Sequence, residues 1–207
     1  MDSFPPTVFV VDDHFRVLES LEFLMKSVGL PVLTFQSARD FLDEIDPDRP
    51  GCLILDIRMP GMSGLQLQDE LEVRGIDIPI IFITGHGDVP LAVQAMKRGA
   101  VEFLEKPLDH QRLLDCIHDA IAQDRAQRSL AEAKSAVSER SGRLTTRERE
   151  VLQRVVAGQS SKEVALELKV SVKTVEAHRA QIMRKMEARS VIDLVHAWYE
   201  LAETGNR

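Results

Sequence analysis

Two cysteines, Cys52 and Cys116, in 207 residues are too few for a disulfide framework. Neither has an adjacent histidine that would lower its thiol pKa, so each reads as a small apolar residue rather than a nucleophile. Long apolar runs are also missing: the longest, such as Ile78–Thr84, are strand-sized and far short of the roughly 20 residues that cross a bilayer. Met1–Pro6 lacks the basic start and apolar stretch of a secretory signal. No tract is biased enough to suggest disorder or a fibrous structure, and no repeat appears at a solenoid period. These absences exclude a disulfide scaffold, a membrane span and a repeat array, and leave a cytoplasmic globular protein without a membrane partner as the expectation.

What is present is ordinary globular composition, 44% hydrophobic and 29% charged, with enough length for one large or two modest cores. The net charge of −7 argues against a nucleic-acid partner until its distribution is read. Residues 1–121 carry 10 Lys/Arg against 21 Asp/Glu, a net of −11, whereas residues 122–207 carry 16 against 12, a net of +4. An acidic module is therefore joined to a basic one, and the second is the candidate for contact with a phosphate backbone.

The first 120 residues alternate short apolar runs with amphipathic segments. The runs Val8–Asp12, Pro31–Phe35, Cys52–Asp56, Ile78–Thr84 and Val101–Leu104 read as five strands. Between them lie helical patterns such as Val17, Leu18, Leu21, Leu24, Met25 and Val28, whose spacing puts the apolar side chains on one face. Strand alternating with helix predicts an α/β fold: a five-stranded, doubly wound parallel sheet over residues 1–121. Residues 122–142 turn poor in apolar residues and read as a helical or flexible linker. Residues 143–207 show only helical patterns and read as a small all-α domain.

In a doubly wound sheet, functional groups gather at the carboxyl ends of the strands. Those positions hold Asp12 and Asp13, Asp56, Thr84 and Lys106. Singly, each has an ordinary reading: a helix cap, a turn residue, a β-branched strand residue, a solvated charge. Together, three carboxylates at one rim repel one another, and a divalent cation with a nearby lysine would offset that repulsion. The matching chemistry is phosphoryl transfer to a carboxylate, with Mg2+ as the hard cation that prefers oxygen ligands.

The segments Val10-Val11-Asp12-Asp13, Leu55-Asp56-Ile57-Arg58-Met59-Pro60-Gly61, Ile83-Thr84-Gly85-His86 and Phe103-Leu104-Glu105-Lys106-Pro107 resemble the receiver domains of two-component response regulators, a flavodoxin-like fold. The match spans about residues 6–121, and Gly85–Val93 is similar to the FixJ group in particular. The resemblance implies that Asp56 is the phosphoacceptor. Asp13, Asp56 and the backbone carbonyl of Arg58 would bind Mg2+ directly, and Asp12 through water. Lys106 and Thr84 would hold the phosphoryl group, and the peptide before Pro107 would be cis. It also implies a switch, in which Thr84 moves inward, Phe103 fills the vacated space and the fourth helix, Asp88–Arg98, is reshaped, on a face that dimerises in many members. Arg58 and His86 would border the path of the hydrolytic water. On this reading the protein is no conventional enzyme but takes part in its own Mg2+-dependent phosphotransfer and dephosphorylation.

In the second domain Ser161–Leu168 and Val172–Met186, joined by Lys169-Val170-Ser171, have the spacing of a helix-turn-helix, with Ser171 able to cap the second helix. Val172, Val175, Ile182, Met183 and Met186 read as its core stripe, leaving a basic and polar outer face. Leu144–Leu152, Lys162-Glu163-Val164-Ala165 and Ser171–Arg179 resemble the LuxR-type DNA-binding domain over about residues 141–202. That resemblance puts Lys173, Thr174, Glu176 and Ala177 nearest the bases and makes Lys162, His178, Arg179 and Lys185 candidates for phosphate contact. His178 has an equally ordinary reading as a packing residue. The last helix, Val191–Leu201, would contribute to dimerisation on DNA.

A phosphatase of the haloacid dehalogenase type also uses a nucleophilic aspartate, but wants a second carboxylate where Arg58 stands. RNA binding finds no aromatic stacking surface. A receiver serving only for dimerisation stays open. The expectation is therefore a response regulator that takes a phosphoryl group from a sensor histidine kinase, forms a homodimer and binds double-stranded promoter DNA, with RNA polymerase as a further candidate partner.

Overall fold

A computed structural model describes residues 5–85 and 89–204. The chain divides into two compact units at Arg128/Ser129. In the first, the strands β1 (Thr7–Val11), β2 (Val32–Phe35), β3 (Gly51–Asp56), β4 (Ile80–Thr84) and β5 (Glu102–Glu105) alternate with helices α1 (Phe15–Ser27), α2 (Ala38–Glu44), α3 (Gly64–Val73), α4 (Val89–Lys97) and α5 (His110–Gly142). The sheet is wholly parallel in the order β2-β1-β3-β4-β5. The strands lie within two residues of their expected bounds. Asp12 itself falls just past β1.

Side-chain alternation along each strand sorts the core into two layers. Phe9, Val11, Leu53, Leu55, Ile80 and Phe82 face α2, α3 and α4, where Phe41 meets both Phe9 and Phe35 edge to face. Val8, Val10, Cys52, Ile54, Ile81 and Ile83 face Leu18, Leu21 and Met25 of α1 and Leu113, Ile117 and Ala120 of α5. The central strands β1, β3 and β4 are buried along their whole length, as their near-continuous apolarity requires. Cys52 sits inside this core, and burial, helped by the charge of Asp124, pushes its thiol up to about 12, which makes it inert.

The end of the first unit lies beyond the expected 121/122 division for a specific reason. Asp124 is buried on α5 and its carboxylate accepts a 2.9 Å hydrogen bond from the Gly51 N–H at the start of β3. Arg128 closes on Asp124 at 2.8 Å and donates to the carbonyls of Pro47, Asp48 and Arg49, each at 3.1 Å. Gly51 is itself obligatory, since a Cβ there would meet the Thr7 carbonyl oxygen at 1.8 Å. The expected linker is one helix throughout, because α5 continues to Gly142.

The second unit adds α6 (Thr146–Val156), α7 (Ser161–Leu168), α8 (Val172–Lys185) and α9 (Val191–Thr204). Its core gathers Leu144, Val151, Leu152, Val155, Val164, Val175, Ile182, Met186 and Leu194, with Val137 of α5 packed against them. Capping boxes start two of these helices, Thr145 with Glu148 for α6 and Ser160 with Glu163 for α7. One expectation needs correction: Val172 is 42% exposed rather than part of the core stripe. It is the first residue of α8, whereas Val175, one turn further on, is fully buried. No helix among the described residues is long and apolar enough to cross a membrane.

Replacing Asp124 by Ala strands the buried Gly51 N–H and frees Arg128. The change is expected to destabilise the first unit by about 2–3 kcal/mol, read as a lower urea midpoint with an unchanged slope.

Candidate functional site

The parallel register aligns the strand ends. Val11 pairs with Leu55, Asp56 with Ile83 and Thr84 with Glu105, so Asp12, Asp56, Thr84 and Lys106 meet at one rim. Asp12, Asp56 and Thr84 are all buried. Lys106 Nζ lies 2.6 Å from Asp12 Oδ2 and 2.7 Å from Asp56 Oδ1, bridging β1 and β3 from the end of β5. The other oxygens are also held: Asp12 Oδ1 accepts the His14 N–H at 2.8 Å, and Asp56 Oδ2 accepts the Arg58 N–H at 2.7 Å. The Lys106 N–H in turn bonds the Thr84 carbonyl at 2.7 Å, and the Lys106–Pro107 peptide is cis.

Electrostatics follow from this geometry. Burial raises the pKa of Asp56 above the ordinary carboxylate value, and the Asp12 charge adds to it, against the opposing pull of the Lys106 ammonium and the Arg58 N–H. For Lys106, burial works to lower the pKa, but its bonds to the two carboxylates outweigh that and hold it above the usual lysine value. The ammonium stays charged.

Asp13 is the member of the set that protein groups leave unsatisfied. Its Oδ1 is buried and has no hydrogen-bond partner, even though His14 Nδ1 stands 2.9 Å away. A carboxylate oxygen held in this state, with a ligand atom of Asp12 within 4.8 Å, fits a hard divalent cation, so these carboxylates are suited to Mg2+. A cavity of about 550 Å3 opens beside it, lined by Asp13, Arg58, Met59, Ser63 and Leu91 among others. Gly64 is fitted closely here: a Cβ on it would lie 2.3 Å from the Asp56 carbonyl oxygen, so only glycine lets α3 start against the phosphoacceptor candidate. Phe103 is half-buried on the core layer that includes Leu91 of α4. His86 and Asp88 lie outside the described residues.

In the second unit, Lys169 ends α7 in the left-handed conformation (φ 54°), and Ser171 caps α8 by accepting the Thr174 N–H at 3.0 Å. Arg147 reaches from α6 to the Leu168 carbonyl at 2.8 Å and so ties this turn to the core. Lys173, Thr174, Glu176 and Ala177 are exposed along α8, Lys162 is exposed on α7, and His178 and Arg179 are half-buried. Lys185 differs from the others. Its ammonium sits 2.7 Å from Glu148, which is only 5% exposed and whose carboxylate also takes the Thr145 N–H at 2.7 Å. That lysine is committed to the fold of its own domain. Despite burial, these bonds hold Glu148 below the ordinary carboxylate range. Sequence reasoning missed Glu148, although the Thr145-Thr146-Arg147-Glu148 capping pattern was a readable signal.

Residues 8–118 match the family described as response regulator receiver domain. Residues 142–198 match the bacterial regulatory proteins of the luxR family. The chain is 47% identical over 190 residues to the transcriptional regulatory protein TdiR of Thauera aromatica, spanning 92% of this chain and 84% of that one. It is 46% identical over 188 residues to the transcriptional regulatory protein FixJ of Azorhizobium caulinodans, spanning 91% and 89%. The structure of response regulator StyR is similar with a TM-score of 0.88 at 45% identity, over 95% of this chain and 99% of that one.

Lys185→Ala leaves the Glu148 carboxylate covered and without its cation, and is expected to lower the stability of the second unit by roughly 1–2 kcal/mol. Because the folded pKa of Glu148 is depressed, its contribution is complete above the ordinary value of 4.5 and is lost as pH falls below it. Thermal melts from pH 7 to pH 3 should therefore show the natural protein and Lys185→Ala converging at the acid end. A constant gap would refute this.

Proposed function

The chain belongs to the response regulators that join a receiver domain to a LuxR-type DNA-binding domain, and from that premise we propose that it is a transcription factor gated by phosphorylation of Asp56. The observation that carries this reading is the bridging of Asp12 and Asp56 by Lys106 at 2.6 and 2.7 Å beside an unsatisfied Asp13 oxygen.

The sensor histidine kinase is the proposed donor. Asp56 Oδ1 forms an O–P bond as the P–N bond of the kinase phosphohistidine breaks, and the departing imidazole keeps the electron pair and takes up a proton. The Arg58 N–H keeps the second Asp56 oxygen pointed away, which leaves Oδ1 as the attacking atom. Burial leaves that carboxylate less solvated and raises its pKa, while Lys106 pulls the other way and favours the ionised form. Asp13, Asp56 and the Arg58 carbonyl, with Asp12 through water, would hold Mg2+, and the bound cation would supply charge neutralisation for the phosphoryl oxygens. Lys106, freed from Oδ1, pairs with the phosphoryl group, and the Thr84 hydroxyl donates to it. Water later attacks phosphorus, forming a new O–P bond as the bond to Asp56 breaks, so that inorganic phosphate leaves and the Asp56 carboxylate is regenerated.

Thr84 moving inward lets Phe103 follow, and the change reaches α4. That helix already exposes Val89, Val93 and Met96, apolar surface suited to a homodimer that forms on activation. A dimer would present two α8 helices to half-sites about one DNA turn apart. Lys173, Thr174, Glu176 and Ala177 would approach base edges, with Lys162, His178 and Arg179 at phosphates. Lys185 is left out because Glu148 occupies it. A cytoplasmic location and contact with RNA polymerase at the promoter complete the reading.

The test is enrichment of genomic DNA fragments with Mg2+ and acetyl phosphate present or absent, for the natural protein and Asp56→Asn. Specific sites should be enriched by the treated natural protein alone. Equal enrichment in all arms would make the receiver a constitutive dimerisation module. On an enriched site, Arg179→Ala should flatten the dependence of log K on log salt by about one for each subunit bound, without affecting Asp56 phosphorylation. An unchanged slope would overturn the docking of α8.

A further inference from the structure

His14 is the N-cap residue of α1, yet its side chain makes no capping hydrogen bond and is 70% exposed. Its ring is nonetheless turned toward the acidic pocket. Nδ1 lies 2.9 Å from Asp13 Oδ1 and 3.3 Å from Asp12 Oδ1. The shorter distance is that of an ion pair when the imidazole carries a proton, and the Asp13 oxygen has no hydrogen-bond partner. A divalent cation can stand where that proton would be, because the nitrogen and the oxygen then both serve as donors to it. Adjacent ligands of an octahedral cation at about 2.1 Å are about 3.0 Å apart, close to the 2.9 Å between His14 Nδ1 and Asp13 Oδ1. One ligand atom each from Asp12, Asp13 and His14 fall within 4.8 Å of one another.

We propose that His14 Nδ1 is a ligand of the divalent cation bound in the receiver pocket, which gives the site a preference for nitrogen-accepting first-row metals such as Co2+ and Ni2+ over Mg2+. The inference rests on the acidic pocket being the cation site. Oxygen donors alone suit Mg2+, whereas an imidazole favours the later metals of the series and adds little for Mg2+. Asp12 is already held by Lys106 and by the His14 N–H. Asp13 and His14 therefore supply the free donor atoms on the α1 side of the site. The position of His14 is set by the backbone of the turn from β1 into α1, so no rearrangement of the chain is needed to bring it to the cation.

The experiment uses the full-length protein loaded with Mn2+ and pulsed electron paramagnetic resonance, with His14→Ala, His14→Gln and Asp13→Asn alongside. The natural protein should show the 14N modulation of a directly bound imidazole, and both His14 variants should lose it while still binding Mn2+. Calorimetric titration should show Ni2+ affinity falling at least about tenfold in the His14 variants, against little change for Mg2+. Mn2+ bound in an Asp13-dependent manner without nitrogen coupling, or with coupling that persists in both His14 variants, would overturn the role of His14 alone. Mn2+ binding that survives Asp13→Asn would overturn the pocket itself as the cation site. Circular dichroism of each variant checks that the exposed substitution leaves the fold intact.

Discussion

The bridge from Lys106 to Asp12 and Asp56 is the interaction on which the first unit is arranged. Two buried carboxylates within reach of one ammonium would repel strongly without it, and the ammonium would be costly to bury without them. The three side chains come from the ends of β1, β3 and β5, so their meeting depends on the parallel order β2-β1-β3-β4-β5 and on registers that end the strands together. The apolar layers on both faces of the sheet hold that register. A one-residue slip in β3 would turn Leu53 and Leu55 to the opposite layer and carry Asp56 with them. Core packing and site geometry are thus one constraint. The unsatisfied oxygen of Asp13 sits where that constraint leaves negative charge that Lys106 does not reach.

The second unit resolves a different conflict. Its outer α8 surface must stay polar and basic, which leaves little apolar area for a small core. The domain compensates with local devices: capping boxes on α6 and α7, Ser171 on α8, the Arg147 bond to the turn and the Lys185–Glu148 pair behind α8. The caps and the Arg147 bond satisfy helix-end donors or acceptors that a short helix would otherwise leave open, and the Lys185–Glu148 pair ties α8 to α6. The result is an exposed face formed by Lys173, Thr174, Glu176 and Ala177, with Val175 turned into the core between them and the Thr174 hydroxyl meeting Ser171 at 2.8 Å.

Much of this was legible in the residues themselves. Alternation of strand-sized apolar runs with amphipathic segments carries the α/β order, because burial on both faces of a sheet needs uninterrupted apolar strands. The acidic and hydroxyl residues stand out as polar groups closing those runs, and the charge asymmetry separates the two modules. Asp124 was not legible, nor was the pairing of Glu148 with Lys185 beyond its local capping pattern. An isolated acid on a helix looks solvated until its partner, 37 residues away for Lys185 or 73 for the Gly51 N–H, is brought to it. Val172 failed for the converse reason, since helical periodicity says which face a residue shares but not where the helix runs out of partners.

By itself, the sequence determined the strand and helix alternation, the set of polar residues at the strand ends, the caps and the basic outer face of α8. These depend on neighbours a few positions apart, where backbone geometry and side-chain period dictate who meets whom. Only the tertiary structure decided which oxygen each polar group holds, that Asp13 is left with one unsatisfied and His14 beside it, that Lys185 belongs to the fold, and that the first unit extends to Arg128. Those outcomes depend on distances between atoms remote in the chain, set by how whole faces pack, and no local pattern contains them.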